Sequence, residues 1–378
     1  MDSLNQTNGM KRVDFSIVPY LRRSNLKASY QILITIFPVA LLWLLVAKID
    51  QTSLNTLIKG CALMPVLVLL ALFSTRAFSL MHDCGHDSLF KSRSLNRSLG
   101  FLLGVLNSIP QHPWSRDHAF HHQHNGNWEI YKGPIDVMTV KDFQSLSKEN
   151  QFFYAISRHW MMLFPGGFYY LVIKPRLALL DAIGCFFTSI INDLRYGFGD
   201  KYIWRDFDLL RHINTKYSGY GNSSAEVIDL IANNVFVLIA WILMSRWLGA
   251  GLFWSCYSIV MTISAAIFIC IFFVQHNFKG SYANRTDYWD LFLGAVEGSS
   301  NLDFPRWLNW FLADISFHSI HHLCERIPNY NLRACHLQNQ DLLKESMTLK
   351  ITDIPSCFNY ILWDAKSQQL TTVAAIQK

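Results

Sequence analysis

The stretch LIKGCALMPVLVLLALFSTRAFSLMHDCGH, residues 57–86, decides the fold because a long apolar run ends there in a cluster of polar side chains. A bilayer core of about 30 Å needs roughly 20 apolar residues in a helix. The run Leu57–Leu80 meets that requirement, as do Tyr30–Ile49, Val227–Trp247 and Leu252–Val274. Only 16% of the residues are charged and 51% are hydrophobic. We therefore predict an all-α integral membrane protein built from two transmembrane helical hairpins.

Three histidine pentads follow or lie between these apolar runs: residues 82–86 (HDCGH), 118–122 (HAFHH) and 318–322 (HSIHH). Within the pentads the histidines recur at offsets of three and four residues, which places them on one face of a helix. Imidazole is the commonest transition-metal ligand, and a structural zinc is satisfied by four ligands. Convergence of eight histidines therefore indicates two metals in one site: His82, His86, His118, His121, His122, His318, His321 and His322.

The distribution of Lys and Arg predicts how the chain crosses the membrane. Five of these residues precede the first run and four follow the second, whereas the short turns within the hairpins carry none. The positive-inside rule then places the N-terminus, the middle section and the tail in the cytoplasm. The basic segment before the first run is too long for a cleavable signal. We expect one structural unit, residues 1–378, divided into segments 1–29, 30–80 (first hairpin), 81–225, 226–274 (second hairpin) and 275–378.

This topology brings a ninth histidine, His276, to the same membrane face, because it follows the last apolar run directly. His112 precedes Pro113, which favours an extended backbone, and could support a neighbouring ligand. His124 is near the second pentad but points away from its shared face. We expect His159, His212 and His336 to lie at the surface or the interface.

Shorter apolar stretches occur at Leu99–Ile109, Gln151–Ile173 and Ala178–Ile191. Pro165-Gly166-Gly167 predicts a helix break in the second of them, and Lys174-Pro175-Arg176 predicts its end. We interpret all three as interfacial or re-entrant helices. The eight cysteines show no paired spacing, which favours free thiols in a reducing compartment.

Carboxylates are the usual partners of a metal-bound imidazole, because they accept a hydrogen bond from its other ring nitrogen. Asp83 and Asp87 flank the first pentad, Asp117 precedes the second, and Asp314 lies one helical turn before His318. We favour Asp83, Asp117 and Asp314 for this role, although each could equally be a solvated charge.

An all-nitrogen site for two metals suits iron, copper or zinc. Zinc is redox-inert and would indicate hydrolysis or structure, whereas two irons could activate O₂ and abstract hydrogen from an unactivated C–H bond. A site at a membrane face suggests a lipid substrate, either an acyl chain or a carotenoid. The formal net charge of +6 is too small to support nucleic-acid binding, but it could favour anionic headgroups or an acidic protein donor.

The pentads and their surroundings resemble the membrane-bound fatty acid desaturases, most closely the bacterial acyl-lipid branch. The similar motifs run from about Val18 to His336 and include Val274-Gln275-His276, Glu297-Gly298-Ser299-Ser300 and Ile327-Pro328-Asn329-Tyr330-Asn331-Leu332. Ala313-Asp314 departs from the Gly-Asn that such relatives tend to carry. An amide there could hold a metal-bound water, whereas Asp314 could itself bind a metal.

The resemblance implies a di-iron, O₂-dependent enzyme of the bacterial inner membrane that introduces a double bond into a lipid-linked fatty acyl chain. Its active site would face the cytoplasm, and a separate donor of the ferredoxin or cytochrome b5 type would supply electrons. The implied iron ligands are His82, His86, His118, His121, His122, His276, His318, His321 and His322. Two alternatives remain open. One is a lipid hydroxylase or carotenoid ketolase with the same histidines, and the other is a metal-binding membrane transporter or receptor.

Overall fold

Four long helices form the transmembrane part of the protein. The computed structural model describes residues 11–196, 222–344 and 346–376; the predictions for residues 1–10 and His212 lie outside these ranges. Within them, four helices are long and apolar enough to cross a membrane: Asn25–Asp50, Thr56–Gly85, Ser224–Leu248 and Ala250–Val274, here the first to fourth spans. The predicted fold class, an all-α membrane protein with two helical hairpins, is confirmed.

The second span connects the membrane part to the histidines. It begins where the Asn55 side chain accepts a hydrogen bond from the backbone N–H of Ile58 at 2.9 Å, which caps the helix. The helix continues to Gly85, five residues beyond the predicted end at Leu80, so His82 lies in its last turn. The hydrogen-bond ladder of a helix does not stop where the apolar side chains stop, and hydropathy alone therefore placed this end too early.

The second and fourth spans pack against each other at the centre of the molecule. Phe78 stacks on Phe268 with ring centroids 4.0 Å apart, and Met81, Met261 and Ala265 are buried in the same cluster. This packing brings together the C-terminal ends of the two spans, which lead to His82 and His276.

The three shorter apolar stretches form helices that pack beside the spans. The helices of this middle section are Arg93–Leu106, Gln111–His124, Val140–Ser145, Lys148–Ser157, Leu163–Phe168 and Lys174–Tyr196, with a π-helical turn at Tyr169–Ile173. Short 3₁₀ turns occur at Arg12–Asp14, Val18–Leu21, Trp160–Met162, Thr286–Tyr288 and Ile351–Asp353.

The predicted helix break at Pro165-Gly166-Gly167 is wrong, because helix Leu163–Phe168 runs through all three residues. Pro165 lies in the first turn, where its missing N–H has no helical partner to lose. A Cβ atom on Gly167 would lie 2.8 Å from the Cβ of Ala265, so this glycine lets the helix approach the fourth span closely.

Two other proline-based predictions are also wrong. Pro175 does not end a helix, because helix Lys174–Tyr196 continues without a break from the π-helical turn. That turn changes the hydrogen-bond pattern directly before Pro175, which has no N–H to donate. His112 is helical, not extended, because Pro113 falls in the first turn of helix Gln111–His124.

A cap of short elements covers the ends of the spans that lead to the histidines. Its helices are Leu291–Val296, Arg306–Phe311, His318–Leu323, Asn329–Gln338, Ile354–Cys357 and Val373–Ile376. Strand β4 (Tyr360–Asp364) pairs with β1 (Met138–Thr139) in parallel and with β5 (Gln369–Thr372) antiparallel, while β2 (Asn301–Asp303) pairs with β3 (Thr348–Lys350) in parallel.

These strands were not predicted, because each has only two to five residues. Their long-range pairing, such as Met138 with Leu362, has no local sequence signal. The small sheet supports the end of the fourth span, since the Asn277 side chain donates to the carbonyl of Tyr360 at 3.0 Å.

Candidate metal centre

The nine predicted histidines lie together in two groups beneath the cap. The first group contains His82, His86, His118, His122 and His321, and the second contains His121, His276, His318 and His322. In each group, one ligand atom from every residue lies within 4.8 Å of the others. Two separate groups of imidazoles can hold two separate ions.

Four elements position these side chains. The last turn of the second span provides His82 and its C-cap residue is His86, while helix Gln111–His124 carries the second pentad. The chain just beyond the fourth span provides His276, and the short helix His318–Leu323 carries the third pentad. Because His121 and His122 are adjacent on one helix, they point into different groups, and the same holds for His321 and His322.

The spacing of the ring nitrogens fits metal coordination. The Nε2 atom of His318 lies 3.0 Å from that of His276 and 3.1 Å from that of His322. The Nε2 atoms of His118 and His122 are also 3.1 Å apart. Two nitrogens bound at a right angle to one ion, with bonds of about 2.1 Å, would lie about 3.0 Å apart. The observed distances therefore match neighbouring ligands of a shared ion.

Several of these nitrogens are buried and have no hydrogen-bond partner among the described residues. Both ring nitrogens of His121 and of His321 are in this state, as is the Nε2 atom of His82 and of His86. A buried polar atom without a partner costs about 1–3 kcal/mol. A bound cation would satisfy these lone pairs, so the donor set fits a pair of metal ions.

Hydrogen bonds on the outer side fix the orientation of three rings. The Nδ1 atom of His276 donates to the carbonyl of Gly298 at 3.0 Å, because that oxygen can only accept. The Nδ1 atom of His82 lies 3.1 Å from Asp83 Oδ1, and that of His86 lies 3.4 Å from Glu325 Oε2. In each case Nε2 remains free to face the ion.

Burial keeps the imidazoles neutral, which is the form that binds metal. Desolvation lowers the pKa of His276 to about 4. It also holds the pKa values of the second and third pentads well below the ordinary value, and the neighbouring imidazoles lower them further. The site therefore needs to lose few protons when a cation enters at neutral pH.

Of the predicted carboxylate partners, Asp83 contacts a histidine of the two groups. Its second oxygen accepts a hydrogen bond from the backbone N–H of Asn329 at 2.8 Å. Asp117 instead pairs with Arg116, and Asp87 pairs with Arg93. The prediction for Asp117 is therefore not supported by its contacts.

Asp314 also lies outside both groups. Ala313 and Asp314 have φ angles of 50° and 57°, in the left-handed region that glycine and asparagine adopt most easily. Glycine or asparagine would therefore fit this backbone shape with less strain than alanine. Burial raises the pKa of Asp314 to about 6, although Arg333 and Arg76 oppose the shift.

The remaining described histidines stay apart from the two groups. His124 directs Nδ1 to the carbonyl of Phe120 at 3.0 Å, and His112 donates its backbone N–H to Asp229. His159 is exposed, as predicted, and accepts a hydrogen bond from the backbone of Met161. His336 is partly buried and packs against the ring of Phe317, with centroids 4.7 Å apart. None of the eight cysteines, all of which lie in the described residues, forms a disulfide, as predicted.

An apolar cavity of about 330 Å³ borders both groups of histidines. The side of the cavity next to the metal centre is lined by His82 and His118 from the first group and by His121 and His318 from the second. The rest is mostly aromatic and aliphatic, with Phe78, Trp114, Tyr170, Phe268, Phe272 and Leu312 among the lining side chains. A cavity of this size and polarity fits a flexible hydrocarbon chain.

Two functional positions were missed by sequence reasoning. Glu325 follows the third pentad by three residues, and the sequence does show this acidic side chain close to the pentad. Asn125 donates to the carbonyls of Gly294 at 2.7 Å and Gly298 at 2.9 Å, and so holds the turn that orients His276. Its role depends on a contact across more than 160 residues, which no local pattern shows.

Comparisons with known proteins agree with this geometry. Residues 60–351 match the family model described as fatty acid desaturase. A fatty acid desaturase of Bacillus subtilis (strain 168) is 26% identical over 97% of this chain and 92% of its own length. An sn-1 oleoyl-lipid 12-desaturase of Anabaena variabilis is 23% identical over 71% of this chain and 65% of its own length. A chloroplastic omega-6 fatty acid desaturase of Spinacia oleracea is 24% identical over 71% of this chain and 50% of its own length. The chain therefore belongs to the fatty acid desaturase family, and it is a membrane-embedded oxidoreductase.

Proposed function

We propose that this chain is a di-iron, O₂-dependent desaturase that introduces one double bond into a fatty acyl chain linked to a membrane lipid. The observation that supports this most strongly is the cavity, because one apolar space borders histidines of both groups. Carotenoids would also need an apolar site, but the names of the relatives refer to fatty acids or to an oleoyl lipid.

The proposed reaction removes two hydrogens from adjacent carbons. O₂ takes up these two hydrogens, two electrons from a separate donor protein and two protons, and leaves as two waters. Two bound irons supply the O₂ activation and hydrogen abstraction that amino-acid side chains cannot perform.

The chain's own residues provide position and exclusion of water. His82, His86, His118, His122 and His321 would hold one iron, and His121, His276, His318 and His322 the other. Asp83, Gly298 and Glu325 orient the rings from outside. Phe268 and Phe272 on the fourth span line the cavity, where they keep an acyl chain out of water and beside the metal centre.

The positions of the spans also support a proposal for where in the cell the reaction takes place. The second and fourth spans deliver their histidines at the ends predicted to face the cytoplasm, where a soluble donor could reach them. We propose the bacterial inner membrane as the location, with a ferredoxin or a cytochrome b5 type protein as the donor.

Expression in a host whose lipids are saturated tests the proposal. We expect new monounsaturated chains by fatty acid profiling, with a product two mass units below the substrate (two hydrogens lost). His121→Ala and His321→Ala should abolish the product, whereas His159→Ala, an exposed histidine outside both groups, should retain it. Gain of oxygen in the product would indicate a hydroxylase, and full activity in either group variant would overturn the ligand assignment.

A further inference from the structure

A cationic surface pocket lies where the first hairpin returns to the cytoplasmic side. Its five lining residues are Leu21, Arg22, Arg23, Lys91 and Arg326. These come from three separate parts of the chain: the segment before the first span, the loop after the second span, and the loop after the third pentad. The pocket has a volume of about 430 Å³ and is open on one side.

The charge of this pocket is uncompensated. Four of its five lining residues are cationic, and no carboxylate lines it in the described part of the chain. Glu325, the residue directly before Arg326, faces His86 at 3.4 Å and does not line the pocket. Four like charges gathered in one place repel each other, so an anion would stabilise the arrangement.

The position of the pocket indicates which anion it meets. Arg23 lies two residues before the first span begins at Asn25, and the Asn25 side chain accepts a hydrogen bond from the backbone N–H of Lys91 at 3.0 Å. The pocket is therefore fixed to the end of a membrane helix, at the level where phospholipid headgroups lie.

A lipid-facing stripe continues directly from this end of the helix. Large apolar side chains recur at intervals of three or four residues and are at least 48% exposed: Leu26, Tyr30, Leu33, Phe37, Leu41 and Leu44. At 1.5 Å per residue the stripe extends about 27 Å along the helix. An acyl chain can lie along it while the phosphate of the same molecule occupies the pocket.

We propose that this pocket binds the phosphate of an anionic phospholipid. The bound lipid connects Arg326 to Arg22, Arg23 and Lys91. Arg326 is four residues after His322, so the lipid supports the loop that follows the third pentad. The consequence is a protein whose stability depends on the anionic lipid content of its membrane.

Thermal unfolding of the purified metal-loaded protein tests this without measuring desaturase activity. The probe is phosphatidylglycerol mixed into phosphatidylcholine nanodiscs, with pure phosphatidylcholine as the reference. We expect phosphatidylglycerol to raise the unfolding midpoint by about 3 °C. The double variant Arg22→Glu/Arg23→Glu should lose most of that rise. The control variant Lys48→Glu/Arg246→Glu makes the same change of charge at exposed positions on the opposite ends of the spans and should keep it.

Three results would overturn the proposal. The first is an equal rise in the unfolding midpoint for the double variant and the control. The second is the same rise with inorganic phosphate in the absence of lipid. The third is a double variant that keeps the lipid response but loses affinity for an acidic electron donor. Should the double variant fail to fold, Lys91→Gln/Arg326→Gln provides the same comparison with smaller changes. The proposed desaturase function is judged separately by lipid products, so either proposal can fail alone.

Discussion

Asp83 and Asp87 flank the same histidine pentad, yet they have different contacts. Asp83 is 2% exposed and lies between the His82 ring and the backbone N–H of Asn329. Asp87 forms an exposed pair with Arg93. Comparing variants of the two aspartates therefore tests whether a carboxylate that is not a metal ligand orients an imidazole.

We expect Asp83→Asn to reduce iron affinity and activity by about 10- to 100-fold, because an amide is a weaker acceptor for the His82 Nδ1–H. Iron titration of the metal-free protein followed by product assay measures both effects. Asp87→Asn should change neither by more than twofold or so, since it contacts no histidine of the centre. Equal losses in the two variants would show that the aspartates do not act through the ring.

Because Ala313 and Asp314 have left-handed backbone angles, we expect a glycine at position 313 to stabilise the protein. An alanine in that region costs about 1–2 kcal/mol, whereas the extra backbone freedom of glycine in the unfolded chain costs about 0.4–1 kcal/mol. We therefore expect Ala313→Gly to stabilise the protein by about 0.5 kcal/mol, measured as a higher thermal unfolding midpoint.

Ala295→Gly serves as the comparison, because Ala295 is equally buried but lies in helix Leu291–Val296. There glycine should destabilise by about 1 kcal/mol. Destabilisation of the same size at both positions would contradict the assigned backbone strain at Ala313.

Among the helices, the second span carries a buried arginine that connects it to two distant segments. Arg76 is 1% exposed and donates to the Gln31 side chain, to Thr35 Oγ1 at 3.1 Å and to the backbone carbonyl of Trp310. Its guanidinium also lies 4.0 Å from the centre of the Trp310 ring. Trp310 lies in helix Arg306–Phe311, which precedes the third pentad, so Arg76 connects the first hairpin to the cap.

We expect Arg76→Leu to lower the free energy of unfolding by about 3 kcal/mol, because it leaves buried partners unsatisfied. Arg97→Leu, at an exposed position of helix Arg93–Leu106, should change it by less than about 0.5 kcal/mol. Denaturant unfolding in detergent compares the two variants. A small effect at Arg76 would mean that its hydrogen bonds contribute little to holding helix Arg306–Phe311 against the spans.

The elements that could be predicted from sequence are those with a local signal. The four spans follow from apolar composition, and the nine histidines follow from their spacing and from their position at span ends. Arg76 has no such signal, since its partner Trp310 is 234 residues away. The Gly298 carbonyl that orients His276 is likewise invisible in the sequence, because every residue has a backbone carbonyl.

Proline patterns gave the least accurate predictions. Pro113 and Pro165 each fall in the first turn of a helix, where proline is tolerated, and Pro175 follows a π-helical turn inside a continuous helical run. Which turn of a helix a proline occupies depends on where the helix starts, and the local proline pattern does not give that start.

At the scale of the whole molecule, the histidine centre should make the metal-free protein sensitive to acid. The pKa of His276 is about 4 in the folded protein and near 6.5 in an unfolded chain. The unfolded state therefore binds the proton first, and stability falls as the pH drops from about 6.5 to about 4. Each such group lowers the free energy of unfolding by up to about 1.4 kcal/mol for each pH unit of this drop.

We expect the unfolding midpoint of the metal-free protein to fall steeply over this range. Bound metal should raise the midpoint without changing its slope between pH 6.5 and 5.5, because the folded imidazoles carry almost no protons there in either form and only the unfolded chain takes them up. Thermal unfolding across the pH range, with and without iron, measures both behaviours. A flat profile for the metal-free protein would mean that the imidazoles are not buried as neutral groups.

The whole molecule combines a membrane part that can admit a hydrocarbon chain with nine imidazoles, which come from the span ends, helix Gln111–His124 and the cap. The proposed function depends on the two groups of histidines holding two ions. Elemental analysis of the purified wild-type protein, by mass spectrometry against a quantified protein concentration, tests this most directly. The proposed centre requires two irons per chain, one for each group of histidines. Zinc in place of iron, or a single metal ion per chain, would contradict it.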